Sequence, residues 1–278
     1  MIDYDPVVPY TYGPAIFRFS PFIMLNSLNI PLRSTRRLAL AAALLLGGTT
    51  VPAVAAPPLA ALPQATTAYF AKFVDEYGNV NYGAIKRNPL ELKALVRRYE
   101  TFDANAATAP DREAFYLNAY NILVINEVVA HYPAESVQKI PGFFDKNLMT
   151  VAGEKMTLND LEAKKLRGPF HDPRVHFALV CGAKGCPRLN RQAFVGNQVD
   201  AQLTVQARKV LQDPKFIRVN DATKKVQISE IFKWYEPEFK ASGKTGLAYI
   251  NQFRDSKSIP ATYAVDYYTY DWALNDRK

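Results

Sequence analysis

The sequence predicts a single α+β domain behind an N-terminal leader. Three observations carry this. A basic cluster, a short apolar run and a small-residue exit fill the region up to residue 55. Helical periodicity dominates the first half of the remaining chain. Alternating, β-branched segments appear mainly in the second half, with short helical stretches between them, a pattern of α+β rather than of repeated βα units. The fold class is therefore α+β, in one domain.

The leader comes first. Arg33, Arg36 and Arg37 precede the apolar run Leu38 to Leu46, and Val51-Pro52-Ala53-Val54-Ala55-Ala56 supplies an Ala-x-Ala exit. Together these read as a secretory signal peptide over about residues 24–55, with Met24 as its natural initiator. The run is far shorter than the roughly 20 apolar residues that span a bilayer. A buried helix is the poorer reading, given the small-residue exit and Pro57-Pro58. Ser34-Thr35-Arg36-Arg37 hints at twin-arginine export. The expectation is a periplasmic or secreted protein with no integral membrane segment in its mature chain. Residues 56–65, rich in Ala and Pro, form a flexible entry, and 66–278 the domain.

The whole chain carries a formal charge of +8. The first 55 residues hold four basic and two acidic side chains, so the remainder stands at +6. Its basic pairs, Arg97-Arg98, Lys164-Lys165 and Lys224-Lys225, are scattered, which excludes a nucleic-acid footprint. Some 220 residues suffice for one sizeable core.

Along the domain, Thr66 or Thr67 caps a helix carrying Tyr69, Phe70 and Phe73, and Pro89 opens one with Leu92, Leu95, Val96 and Tyr99 on a stripe. The longest helix runs from about Pro110 to His131, stopped by Pro133 and apolar on most sides, hence central. Asn118 and Asn121 share one of its faces. Such buried amides tie neighbouring loops or contact substrate. Residues 143–151 hold a strand. Thr157 caps a helix that Gly168 stops, with Glu162 on the apolar stripe. Asp172 to Cys181 reads as a buried strand entering a glycine turn. A helix over 197–212, strands at 216–219 and 225–228, a helical turn after Ser229, a short helix from Leu247 to Phe253 and a last strand within 264–272 complete the domain.

The chemistry gathers in that central stretch, which holds both cysteines and His176. Cys181 and Cys186 flank Gly182 and Gly185. In an oxidising compartment they could form a disulfide. Alternatively Cys186 is a nucleophile, with the amides of Gly182 to Cys186 as an anion-binding nest. His176 would then be its base and Glu162 the orienting carboxylate, the arrangement of a thiol hydrolase. Asn118, Asn121 and Arg174 would position substrate or brace the site. Strand alternation opposes this pairing, since His176 and Cys181 face opposite ways and lie about 17 Å apart at about 3.3 Å per residue. Only a sharply doubled loop reconciles them. His171, His176, Cys181 and Cys186 have five-residue gaps that match no usual zinc spacing, and no Gly-x-Gly-x-x-Gly, P-loop or serine elbow is present. Neither a cofactor nor a metal is expected; a small-molecule or peptide substrate is.

The segments Ala114-Phe115-Tyr116-Leu117-Asn118-Ala119-Tyr120-Asn121, Asp172 to Pro187, Ser229 to Tyr235 and Tyr270-Asp271-Trp272-Ala273-Leu274-Asn275 closely resemble the family called Domain of Unknown Function 547, over roughly residues 70–275. The resemblance implies a papain-related fold with permuted connectivity, which would suit a histidine preceding the cysteine. Gly185 departs from the serine expected there. Two functions from different classes are implied: an exported thiol hydrolase of amide or thioester bonds in small or cell-wall peptides, or a non-catalytic binding or scaffold domain with a Cys181–Cys186 disulfide. A redox role for the cysteine pair is a third, with a spacing unlike Cys-x-x-Cys.

Overall fold

The computed structural model describes residues 61–241, 245–255 and 257–277; the expected signal peptide lies outside them. Four helices come first: α1 (Ala61–Phe73), α2 (Tyr82–Arg87), α3 (Leu90–Glu100) and α4 (Ala109–His131). Thr108 caps α4, its hydroxyl accepting from the Asp111 amide, with Pro110 in the first turn. From Ala114 to Val129 almost every side chain of α4 is buried, on all sides of the helix. The other three wrap it with Tyr69, Phe70, Tyr82, Ile85, Leu92 and Tyr99. α1 starts at Ala61, ahead of the expected cap at Thr66. The Thr66 hydroxyl does not cap; it bonds back to the Leu62 carbonyl at 2.9 Å and meets the Tyr99 hydroxyl at 2.6 Å.

β1 (Met149–Val151) and β2 (Glu154–Met156) form a hairpin. Ala152 and Gly153 turn it with positive φ, the geometry that matches strand twist. Next, α5 (Leu158–Asp160) opens into a π-helical stretch, Leu161–Arg167, and closes as α6 (Gly168–Phe170). Gly168 does not stop the helix. It continues the wide turn with its amide on the Ala163 carbonyl, and a Cβ there would sit 2.9 Å from that oxygen. The stop is His171, at φ 50°.

The expected central strand is not a strand. Asp172 caps a 3₁₀ turn, Pro173–Phe177, by accepting from the Arg174 amide. Beyond it the backbone runs without a ladder partner. The Asn121 carboxamide takes the place of a neighbouring strand: its Nδ2 donates to the Ala178 carbonyl at 3.0 Å and its Oδ1 accepts from the Val180 amide at 2.9 Å. Val175, Phe177 and Val180 are all buried. An apolar run buried all round has no periodicity that separates strand from coil.

α7 (Val199–Gln212) comes next, then β3 (Ile217–Asn220) and β4 (Lys225–Ser229) as an antiparallel pair with Ile217 opposite Ile228. After α8 (Ile231–Trp234), α9 (Glu236–Ala241) and α10 (Gly246–Asn251), β5 (Ala264–Tyr268) joins β4 in parallel. The fold is mixed α+β, and no helix among the described residues is long and apolar enough to cross a membrane. Two buried clusters result, one around α4 and one uniting Phe177, Phe216 and Ile228 with α8 to α10. Cys181, Cys186 and Trp272 pack against both.

The tail joins the two. The Leu274 amide reaches the Glu135 carbonyl, the Asn275 amide the Gly182 carbonyl, and the Val80 amide the Asn275 carbonyl. Tyr82 donates to Asn275 Oδ1 at 2.7 Å. The backbone flanking the thiols therefore depends on Asn121 beneath and the tail above. Replacing Asn121 with Ala leaves a buried amide and a buried carbonyl unpaired, so urea unfolding is expected to show a loss of about 2–4 kcal/mol at unchanged m-value. Asn81→Ala, which removes an ordinary helix cap, is expected to cost about 1 kcal/mol.

Candidate functional site: two thiols on one tyrosine

Gly182 begins the doubled loop at φ 86°, a conformation that favours glycine. A Cβ there would come within 3.0 Å of Val137. Cys186 then closes a turn with its amide on the Ala183 carbonyl at 3.2 Å. The loop thus brings Cys186 back to Cys181, whose amide donates to Cys186 Sγ at 3.1 Å. Both thiols are free and half-buried.

Gly185 has a different task. A Cβ on it would lie 2.9 Å from the Tyr270 ring and from the Asp271 amide. Glycine lets Tyr270 lie directly on the loop, so its hydroxyl donates to Cys186 Sγ at 3.0 Å and also meets Cys181 Sγ at 3.4 Å. Where the resemblance leads one to expect a serine, the absent side chain is the space the tyrosine occupies. Trp234 and Trp272 flank the same ring, at centroid distances of 4.9 and 4.8 Å.

The three groups titrate as a unit. Burial pushes the Cys186 thiol up, but hydrogen bonds from the Cys181 thiol, Tyr270 and the Ala183 and Cys181 amides outweigh it, and the net direction is down. Its hydrogen bond to Cys186, then burial, drives the Cys181 thiol well up. Burial and the two adjoining sulfurs raise the Tyr270 phenol. The opposite directions make Cys186 the first of the three to ionise, with Cys181 and Tyr270 as its donors.

His176 lies in a separate network. It is buried, 4% exposed, and its Nε2 pairs with Glu238 Oε2 at 2.8 Å. Its ring stacks on Tyr235 at 3.7 Å. Tyr235 donates to Glu162 Oε1 at 2.9 Å. Arg167, at the end of the π-helical stretch, bonds Glu238 through Nε at 2.7 Å and stands 3.6 Å from Glu162. The carboxylate on the apolar stripe thus answers a tyrosine and an arginine. Cys186, His176 and Glu162 do not form one hydrogen-bonded chain: the imidazole bonds Glu238, and the thiol bonds Tyr270. Three of the five amides of the expected nest are also engaged, those of Lys184, Gly185 and Cys186 by the carbonyls of Ala273, Asp271 and Ala183.

The remaining candidates tie neighbouring segments together. Asn118 holds Phe194 through both its amide and its carbonyl, at 2.9 and 2.8 Å, as Asn121 holds Ala178 and Val180. Arg174 ties Asp172 to Asp200 and Thr204 on α7. Among the described residues no group of three or more His, Cys, Asp or Glu could hold a metal. Sequence reasoning missed Tyr270 and Glu238. Tyr270 stands in one of the family-like segments, yet its alternation with Tyr268 reads as an edge strand; Glu238 carries no local signal.

Two measurements check these electrostatics. Iodoacetamide labelling of Cys186, followed by mass spectrometry, is expected to have a midpoint below that of an ordinary thiol. Tyr270→Phe should raise this midpoint, and His176→Ala should leave it in place. For Glu238, burial acts upward, but His176 and Arg167 outweigh it and hold the carboxyl at about 2. Its folded-state value lies below the unfolded one of about 4.3, so the unfolded chain binds this proton first as pH falls. The stability it supplies is complete above about pH 5 and is lost toward pH 2. The stability gap between wild type and Glu238→Gln in urea should accordingly narrow from about pH 5 to about pH 3.

No curated protein and no solved structure matches the chain. Residues 105–211, from the turn before α4 to the last turn of α7, match the model of the family described as Protein of unknown function, DUF547.

Proposed function

We propose that the domain performs thiol–disulfide exchange, with Cys186 as attacking thiolate and Cys181 as resolving thiol. The observation that carries this reading is the shared tyrosine: one phenolic oxygen touches both sulfurs, at 3.0 and 3.4 Å. Exchange needs a thiolate of depressed pKa and a second thiol beside it that stays protonated until its turn. Cys186 and Cys181 are shifted in those opposite directions.

Two attacks complete the exchange. Cys186 S⁻ attacks one sulfur of a substrate disulfide, the substrate S–S bond breaks, and the departing thiolate takes a proton from solvent. Cys181 loses its proton and attacks Cys186 Sγ, releasing the second substrate thiol. The substrate is reduced by two electrons and the cysteine pair is oxidised to a disulfide. A dithiol donor restores the pair. Export, expected from the leader, would set this chemistry where disulfides persist, and the disulfide of the scaffold reading is then the oxidised state of the same pair.

The thiol hydrolase is the second reading, favoured by the same thiolate. Its amide branch needs an acid for the leaving amine and a donor for the oxyanion; the imidazole bonds elsewhere and three loop amides are engaged. A thioester leaves as a thiolate and makes the lesser demand, so the thioester branch is the stronger form of this reading.

The aromatic disulfide 5,5′-dithiobis(2-nitrobenzoate) separates the readings. Reduced wild type should release two thionitrobenzoate equivalents and end unlabelled, with its cysteines joined. Cys181→Ser should release one and keep one as an adduct, and Cys186→Ser should react at least about 100-fold more slowly. Two stable adducts on wild type would sink the exchange reading. Steady turnover of a thioester without cysteine oxidation would favour the hydrolase.

A further inference from the structure

A second site lies apart from the thiols. A cavity of about 350 Å³ opens where the start of α1, the end of α3, the first turns of α4 and residues 195–197 meet. Cores close-pack and leave few voids larger than a water, and small-molecule sites begin at about 300 Å³. The space is roughly twice that of an engineered cavity that takes benzene.

Its walls are apolar and largely aromatic. Leu62, Pro63, Tyr99, Phe102 and Phe115 all line it. Phe102 and Phe115 are stacked at 4.1 Å. Among the described lining residues Asp111 is the one carboxylate, and no lysine, arginine or histidine is there to balance it. The Thr108 hydroxyl occupies Asp111 Oδ2 at 2.7 Å. Oδ1 lies against Gly196, 1.9 Å from where a Cβ would stand. Only glycine admits the carboxylate at this position.

The remaining wall is held in advance. Asn118 fixes Phe194 from both sides. Gln202 accepts from the Val195 amide at 2.8 Å and donates to the Ala193 carbonyl at 2.9 Å. Such pre-organisation favours binding, because ordering is not required of the protein when the ligand arrives.

We propose that this cavity binds a small aromatic molecule carrying a protonated amine, its ring among Tyr99, Phe102 and Phe115 and its ammonium on Asp111 Oδ1. The carboxylate selects the cation; the apolar walls select the ring. The site is independent of the thiol chemistry, so either can fail without the other.

Titration calorimetry of the full chain tests it with naphthalen-1-ylmethylamine and the neutral isostere naphthalen-1-ylmethanol. Saturable one-to-one binding is expected, at least about tenfold tighter for the amine. Asp111→Asn keeps the acceptor for Thr108 and should remove the preference while leaving the alcohol bound. Pro63→Trp, at the rim, and Ala114→Phe, in the floor, should each abolish binding of both probes; the rim variant stands if the floor variant fails to fold. Absence of saturable binding at millimolar probe, equal affinity for amine and alcohol, or binding untouched by Pro63→Trp would each overturn the proposal.

Discussion

The carboxamide of Asn121 does for Ala178–Val180 what a neighbouring strand does in a sheet. It satisfies one amide and one carbonyl of a segment buried on every side, where an unpaired polar group is costly. From Ala114 to Val129 α4 is buried around its whole circumference, so it cannot move without emptying the core. A segment fixed to it is fixed in the domain. Cys181 comes directly after this segment, and its amide direction, which places the hydrogen bond on Cys186, is set there.

From that anchor the loop is built by backbone rather than by side chains. Gly182 turns it, and the carbonyls of Ala273 and Asp271 hold it from the tail. The amides that would have formed an oxyanion hole are the same ones that fasten the loop. The fold thus shapes the chemistry by what it consumes as well as by what it presents. His176 obeys a similar rule: with Glu238, Arg167, Tyr235 and Glu162 it joins the π-helical stretch to α8 and α9, and it lies beneath the surface as part of a packed charge network.

Much of the fold was legible in the sequence. The bounds of α4 and α7 and the β3–β4 hairpin derive from period, caps and turn residues, which act locally. Two things were not legible. Asp172 to Cys181 has the composition of a strand, and only the side chain of Asn121, 59 residues from Val180, reveals that it is not one. The partners of Cys186 and His176 come from 84 and 62 residues away. Residue chemistry in the sequence marked the cysteine, the histidine and Glu162 as unusual; pairing among them depended on long-range contacts that no local pattern encodes. Glu162 illustrates the gap. Its place on an apolar stripe required a partner, and Tyr235 with Arg167 met that requirement without the histidine.

Tyr270 lies well beyond the stretch 105–211 that matches the family and enters the loop from the far side. During synthesis both cysteines emerge before it. A partly made chain therefore carries two ordinary thiols, without the phenol that lowers one of them. The downward shift of the Cys186 thiol is therefore complete only once the later segment has folded onto the loop.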